Sequence, residues 1–240
     1  MLKFWYLNHS GFLVETDKHL LVFDYYTDVP KGGTPEQGVV TPELLPQDKQ
    51  LVVFVSHSHF DHYNKVVHSW CEARENTLMF FGNDIKRSAD ATRIHGGETL
   101  TASGLSVSAL HSTDQGVAFL VKVDGKTIYH GGDLNLWQWD GAEESQNRAM
   151  EKAFCGEIDK LRGEAIDLAF VPVDPRLERT AFRGGQYFMR SVGAACMVPM
   201  HFWDDYSICE RFAEDRDNAA FGDRVVRLTH RGQCVTLDEG

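Results

Sequence analysis

The stretch Leu51-Val-Val-Phe-Val-Ser-His-Ser-His-Phe-Asp-His62 decides the reading of this chain. Its first five residues are apolar and mostly β-branched, the composition of a strand buried on both faces. The strand runs directly into His57-x-His59-x-Asp61-His62, so four potential metal ligands sit on the loop leaving its carboxyl end. Imidazoles and a carboxylate suit a borderline cation such as zinc. In an extended loop the alternating His57 and His59 point to one side, while Asp61 and His62 turn toward a second position.

Outward from this loop the chain reads as β-rich and mixed segments in alternation. Phe4 to Leu7, Phe12 to Glu15 and Leu20 to Tyr25 form an opening meander. After the loop, Lys65 to Arg74 has helical character, Thr77 to Phe81 is a buried strand, and Asn83 to Ala91 is read as helical. Strand character returns from Glu98 to Tyr129, with Leu105 to Leu110 alternating and Asp124-Gly125 marking a hairpin between Val117 to Val123 and Lys126 to Tyr129. Glu143 to Leu161 has the periodicity of an exposed amphipathic helix. Ile166 to Val173 and Cys196 to Met200 are buried strands with a helix near Gln186 to Val192 between them, and Val225 to Thr229 and Cys234 to Leu237 close the chain as strands. The order predicts one α/β domain over residues 1–240, two packed sheets with helices outside.

Composition narrows the function. The 240 residues are 42% hydrophobic, enough for a continuous core, and carry 24 basic against 35 acidic residues for a net charge of −11. That balance disfavours nucleic acid and anionic membrane surfaces as partners. The five cysteines, Cys71, Cys155, Cys196, Cys209 and Cys234, form no CxxC pair, and neither a signal peptide nor a spanning segment is evident, so a cytoplasmic location is expected.

The loop, taken with the strand ends further along the chain, resembles the metallo-β-lactamase fold superfamily of hydrolases, whose signature is HxHxDH and three later ligands. The resemblance implies a four-layer αββα sandwich and supplies candidates for those ligands: His111 after the alternating strand, Asp133 in Tyr129-His-Gly-Gly-Asp133, and His201 in Val198-Pro-Met-His201. On this pattern His57, His59 and His111 would hold one metal, Asp61, His62 and His201 the other, and Asp133 would bridge them. Two divalent ions are implied, zinc foremost with manganese or iron as alternatives, generating hydroxide for attack on a small, anionic ester, lactone or phosphoester. Asp61 and Asp133 are the candidate catalytic carboxylates, Asp61 as ligand and as proton acceptor. The opening Tyr6-Leu-Asn-His-Ser-Gly-Phe12 and Asp133-Leu-Asn135 resemble the branch containing ascorbate phosphate lactonase and N-acyl phosphatidylethanolamine phospholipase D. The alternative is a metal-dependent nuclease or phosphodiesterase acting on nucleic acid.

Candidate substrate contacts are His9 beside Ser10-Gly11, Trp137 as an aromatic wall, and Arg176 and Arg183 from the polar stretch Asp174 to Gly185 as anion binders. Each has an ordinary alternative, a packing histidine or tryptophan or a solvated loop. His130 is weighed as support for the metals, and His19, His68, His95 and His230 as surface or packing residues. The expected partner is a small molecule; a homo-oligomer is compatible with the sequence.

Overall fold

The computed structural model describes residues 1–86 and 91–237. One mixed sheet has seven strands: β1 (Leu2–Asn8), β2 (Gly11–Glu15), β3 (His19–Phe23), β4 (Gln50–Val55), β5 (Leu78–Gly82), β6 (Thr92–Ile94) and, returning beside β1, the last strand of the chain, β13 (Cys234–Leu237). The other sheet has six: β7 (Thr99–Ala102), β8 (Leu105–His111), β9 (Val117–Val123), β10 (Lys126–His130), β11 (Leu168–Pro172) and β12 (Cys196–Met200). Among the described residues four α-helices accompany them: α1 (Trp70–Ala73), α2 (Glu144–Ile158), α3 (Arg183–Ser191) and α4 (Ser207–Glu214). Among the described residues no helix is long and apolar enough to cross a membrane.

Period-two alternation sorts each inner strand between two apolar layers. Phe4, Tyr6, Phe12, Val14, Leu21, Phe23, Val52 and Phe54 face the core between the sheets. Trp5, Leu7, Leu13, Leu20, Val22, Leu51, Val53 and Val55 face the opposite layer, which Trp70 of α1 also enters. Aromatic rings lock the sheets together: Phe12 stacks on Phe170 at 3.9 Å, and Phe54 meets Phe119 edge-on at 5.3 Å. Each such buried side chain contributes roughly 1.5–3 kcal/mol by removal from water. On the outer face of the second sheet Phe188 of α3 stacks on Tyr129 at 4.9 Å, and Phe212 of α4 is fully buried. The result is the expected αββα sandwich.

The strand directions place the chemistry. β3, β4, β5 and β6 run parallel to one another in the first sheet, and β10, β11 and β12 do so in the second. Asp24 follows β3, Ser56 to His62 follow β4, Gly131 to Asp133 follow β10, Asp174 lies just beyond β11, and His201 follows β12.

Four segments differ from the sequence-based expectation. Lys65 to Arg74 divides into a 3-10 turn at Lys65–Ser69 and the single turn α1. Asn83 and Asp84 form a turn rather than the start of a helix, and residues 87–90 of that segment lie outside the described residues. Val225 to Thr229 is not a strand: Val225 makes one isolated bridge to Met197, so the apolar run is satisfied by packing at the sheet edge. Helix α4, with Ile208, Cys209, Phe212 and Ala213 on its buried face, is an addition to the expected elements.

Candidate metal centre

These strand ends bring histidine and aspartate side chains into two groups. His57, His59 and Asp133 form one; His9, Asp61, His62 and His201 form the other. Asp133 stands between them. Its Oδ2 is 3.3 Å from His57 Nε2 and 4.0 Å from His59 Nδ1, and its Oδ1 is 3.1 Å from His62 Nε2 and 3.2 Å from His201 Nε2. His57 Nε2 is also 2.9 Å from His59 Nδ1.

Hydrogen bonds behind the histidines fix which nitrogen faces the site. His62 Nδ1–H donates to Asp24 Oδ2 at 2.7 Å, and His201 Nδ1–H donates to Asp174 Oδ2 at 2.9 Å. The Ser56 hydroxyl donates to Asp24 Oδ2 at 2.7 Å, so its oxygen accepts from His57 Nδ1–H at 2.9 Å. All three rings therefore turn Nε2 inward, the arrangement of histidines that bind a metal once that nitrogen is deprotonated. His62 Nε2, His201 Nε2 and Asp133 Oδ1 are buried without a hydrogen-bond partner. Buried polar atoms left unpartnered are costly, and a cation at the centre of the groups would satisfy all of them. The donor set fits a divalent transition metal.

His9 also turns Nε2 toward the site but has the opposite tautomer. Its Nδ1 accepts from Trp203 N–H at 3.2 Å, which leaves the proton on Nε2, 3.5 Å from Asp61 Oδ2. His9 is fully buried between Trp203 and His201, with ring centroids 4.1 Å away from each. Its Nε2 faces the carboxylate but makes no hydrogen bond among the described residues. His9, Asp24, His201 and Trp203 all have positive φ, between 44° and 67°. Such conformations cost about 1–3 kcal/mol each in non-glycine residues and cluster where function imposes them.

Electrostatics follow the same geometry. Burial lowers His62, but the Asp133 and Asp24 carboxylates reverse this and push its pKa up to about 10. Burial takes His9 down to about 4. Burial opposes ionisation of Asp61 and Asp133, yet the surrounding histidines hold both below the usual carboxylate range. Asp174, despite burial, is held down to about 2 by His201 and Arg176.

Two glycines permit the close approach of these loops. A Cβ on Gly116, at φ 70°, would lie 2.0 Å from the Ser56 carbonyl oxygen, and one on Gly132, at φ 50°, would lie 2.7 Å from the Val117 carbonyl oxygen and 2.8 Å from Ser56 Cβ.

Six of the seven expected ligands converge. His111 does not: it is the exposed last residue of β8, its ring packs against Gly96, and it belongs to neither group. The turn that begins at Ser112 carries Thr113 and Asp114 to the site instead. Of the substrate candidates, Trp137 and Arg176 line the cavity of about 590 Å³ in front of Asp133 and His201, together with His59, Phe60, Asp61, Trp139 and Met150. Arg183 does not. It bonds Gln138 Oε1 and lines a neighbouring groove with Arg179, because the start of α3 turns it away. Sequence reasoning misses Asp24, Ser56 and Asp174. Their signal is a polar residue at the end of an apolar strand, in Val22-Phe-Asp24, Val55-Ser56 and Pro172-Val-Asp174.

The model of the beta-lactamase superfamily domain matches residues 3–146, more than half of the chain. The chain belongs to this family. It is similar to a UPF0173 metal-dependent hydrolase of Thermococcus kodakarensis, 30% identical over 55% of this chain and 62% of the relative, which the chain therefore matches over less than two thirds of its length. A UPF0173 metal-dependent hydrolase of Methanosarcina mazei is 27% identical over 98% of this chain and 99% of its own. Among solved structures, Igni18, a metallo hydrolase from Ignicoccus hospitalis, superposes with a TM-score of 0.65 at 18% identity, covering 100% of this chain and 99% of that one.

Proposed function

We propose that this metal-dependent hydrolase holds two divalent cations, zinc foremost, and cleaves a small anionic ester, lactone or phosphoester. The observation that carries the reading is the position of Asp133, whose two carboxylate oxygens face two separate groups of inward-pointing ligands. His57, His59 and Asp133 would hold one ion, and Asp61, His62, His201 and Asp133 the other. When bound, such ions polarise the scissile carbonyl or phosphoryl oxygen and make water acidic enough to ionise near neutral pH.

The protein's own groups supply the rest. Asp61, ionised and open to the cavity, can accept a proton from the attacking water. His9 Nε2 lies 3.5 Å from Asp61 Oδ2, where its N–H would favour the ionised carboxylate. Arg176 faces the same cavity as an anion anchor, its guanidinium held by Asp174 at 2.5–3.0 Å. A nucleic-acid substrate fits less well: the net charge is −11 and Arg176 is the one basic side chain among the described residues lining the cavity, apart from histidines.

Metal analysis of protein purified without chelator tests the reading. About two equivalents of zinc, manganese or iron and loss of ester or lactone turnover in His59→Ala are expected. Absence of bound metal, with activity untouched by His59→Ala, would sink it.

A further inference from the structure

The cavity in front of the metal centre has an aromatic mouth that hydrolysis alone does not require. Phe60 sits between the ligand candidates His59 and Asp61, is 77% exposed, and lies nearly parallel to Trp203 with centroids 6.3 Å apart. Trp139, 44% exposed, lies parallel to Trp137 within 8° at 6.2 Å. Trp137 is pinned by its Nε1–H, which donates to the Asp133 carbonyl oxygen at 2.9 Å. Large exposed aromatics lining one cavity mark a binding surface, and Phe60, Trp137 and Trp139 line the cavity that Asp133 also lines.

One charge accompanies the rings. The Arg176 guanidinium lies 6.0 Å over the Trp139 ring. Its Nε and Nη2 are committed to Asp174, while Nη1 makes no hydrogen bond among the described residues. A rigid guanidinium with one free edge beside a flat indole recognises an anion attached to a planar group. Among the described residues Asp114 is the one lining carboxylate outside the two ligand groups, and Arg176 the one lining residue that carries a permanent positive charge.

We infer that the substrate carries a flat aromatic group beside its anionic group, the ring lying against Trp139 and Phe60 and the anion on Arg176. This rests on the hydrolase site proposed above. Aliphatic acyl chains would fill the same space without matching the flat faces.

Calorimetric titration of the zinc-loaded protein with three probes tests it: 2-naphthoate, its fully saturated decahydro analogue, and neutral 2-naphthylmethanol. 2-Naphthoate is expected to bind at least tenfold more tightly than either of the others. Trp139→Ala and Phe60→Ala should each shrink the gap to the saturated acid, and Arg176→Gln the gap to the alcohol, with zinc content unchanged in all three variants. A gap to the saturated acid below threefold, or gaps that survive these substitutions, would overturn the inference. Phenyl acetate hydrolysis and zinc content measured on the same samples separate the two readings. If both are present without a naphthoate preference, only the aromatic inference fails; if both are absent, the hydrolase site itself fails.

Discussion

Asp24 Oδ2 accepts a 2.7 Å hydrogen bond from His62 Nδ1, and both side chains are fully buried. The two residues come from different strand ends, and the same carboxylate also receives the Ser56 amide and hydroxyl at 2.7 Å each. Through Ser56 it orients His57, so one fully buried aspartate sets the ring orientation of a ligand in each group.

Asp24→Asn removes that charge and places an amide donor against His62 Nδ1–H. The expected outcome is a folded protein whose metal affinity falls about 10–100-fold, with activity at limiting metal falling in parallel. Competition against a chromophoric chelator measures it. Wild-type affinity in Asp24→Asn would show that the His57 and His62 rings are oriented by packing alone.

The metal-free protein should show an arched dependence of stability on pH. His62, raised to about 10 in the fold against 6.5 unfolded, contributes stability that is complete below pH 6.5 and lost as the pH climbs through 10. His9, lowered to about 4, works in the other direction: the unfolded chain binds the extra proton, so stability rises from pH 4 to 6.5. Denaturant midpoints of chelator-treated protein across pH 4–10 report both arms. Metal uptake displaces the His62 proton, so adding zinc near pH 8 in weak buffer should acidify the solution, and a pH indicator that does not respond would contradict this.

His9→Asn separates a donor from a ligand. Asparagine tolerates the positive φ of 53° at this position, so folding should be preserved. Because the proton on His9 Nε2 points at Asp61, metal content should stay near wild type while kcat falls by roughly 10²-fold, the scale for removal of one preorganised donor. A variant that instead loses metal would place His9 among the ligands.

His111→Ala should change neither metal content nor kcat/KM by more than about twofold, the surface site being worth at most a few tenths of a kcal/mol. The contrast with His59→Ala is the decisive control.

The sequence carried the fold and most of the centre because both depend on short-range signals. Leu51 to Val55 announces a buried strand by composition, and HxHxDH announces ligands by spacing. Asp133 and His201 were legible for the same reason, each ending an apolar run. His111 ends one too, but its strand continues one residue too far and the ring comes to rest on Gly96. Which side of a strand end faces a site depends on where the strand stops, and that is set by pairing with β9, a long-range property. The tautomer of His9 depends on the Trp203 amide, 194 positions away in the chain. Arg176 and Arg183 look equivalent in sequence. Asp174 and Gln138 divide them between two pockets.

Gly132→Ala tests how tightly the two sheets must approach for the centre to form. At φ 50° an alanine is strained by about 1–2 kcal/mol from backbone conformation alone. Its Cβ would also meet the Val117 carbonyl oxygen at 2.7 Å and Ser56 Cβ at 2.8 Å, neither of which is the end of a flexible side chain. The Asp133 loop must therefore move away from Ser56, and with it the contacts of Asp133 to His57 and His62. The expected result is a protein destabilised by about 2–4 kcal/mol whose remaining folded fraction binds metal weakly. Gly104→Ala, at φ 82° with open space around it, shares the backbone strain but not the collision, and should lose stability while keeping wild-type metal affinity. Equal metal loss in both variants would mean that strain, rather than the approach of Gly132 to Ser56, governs the site.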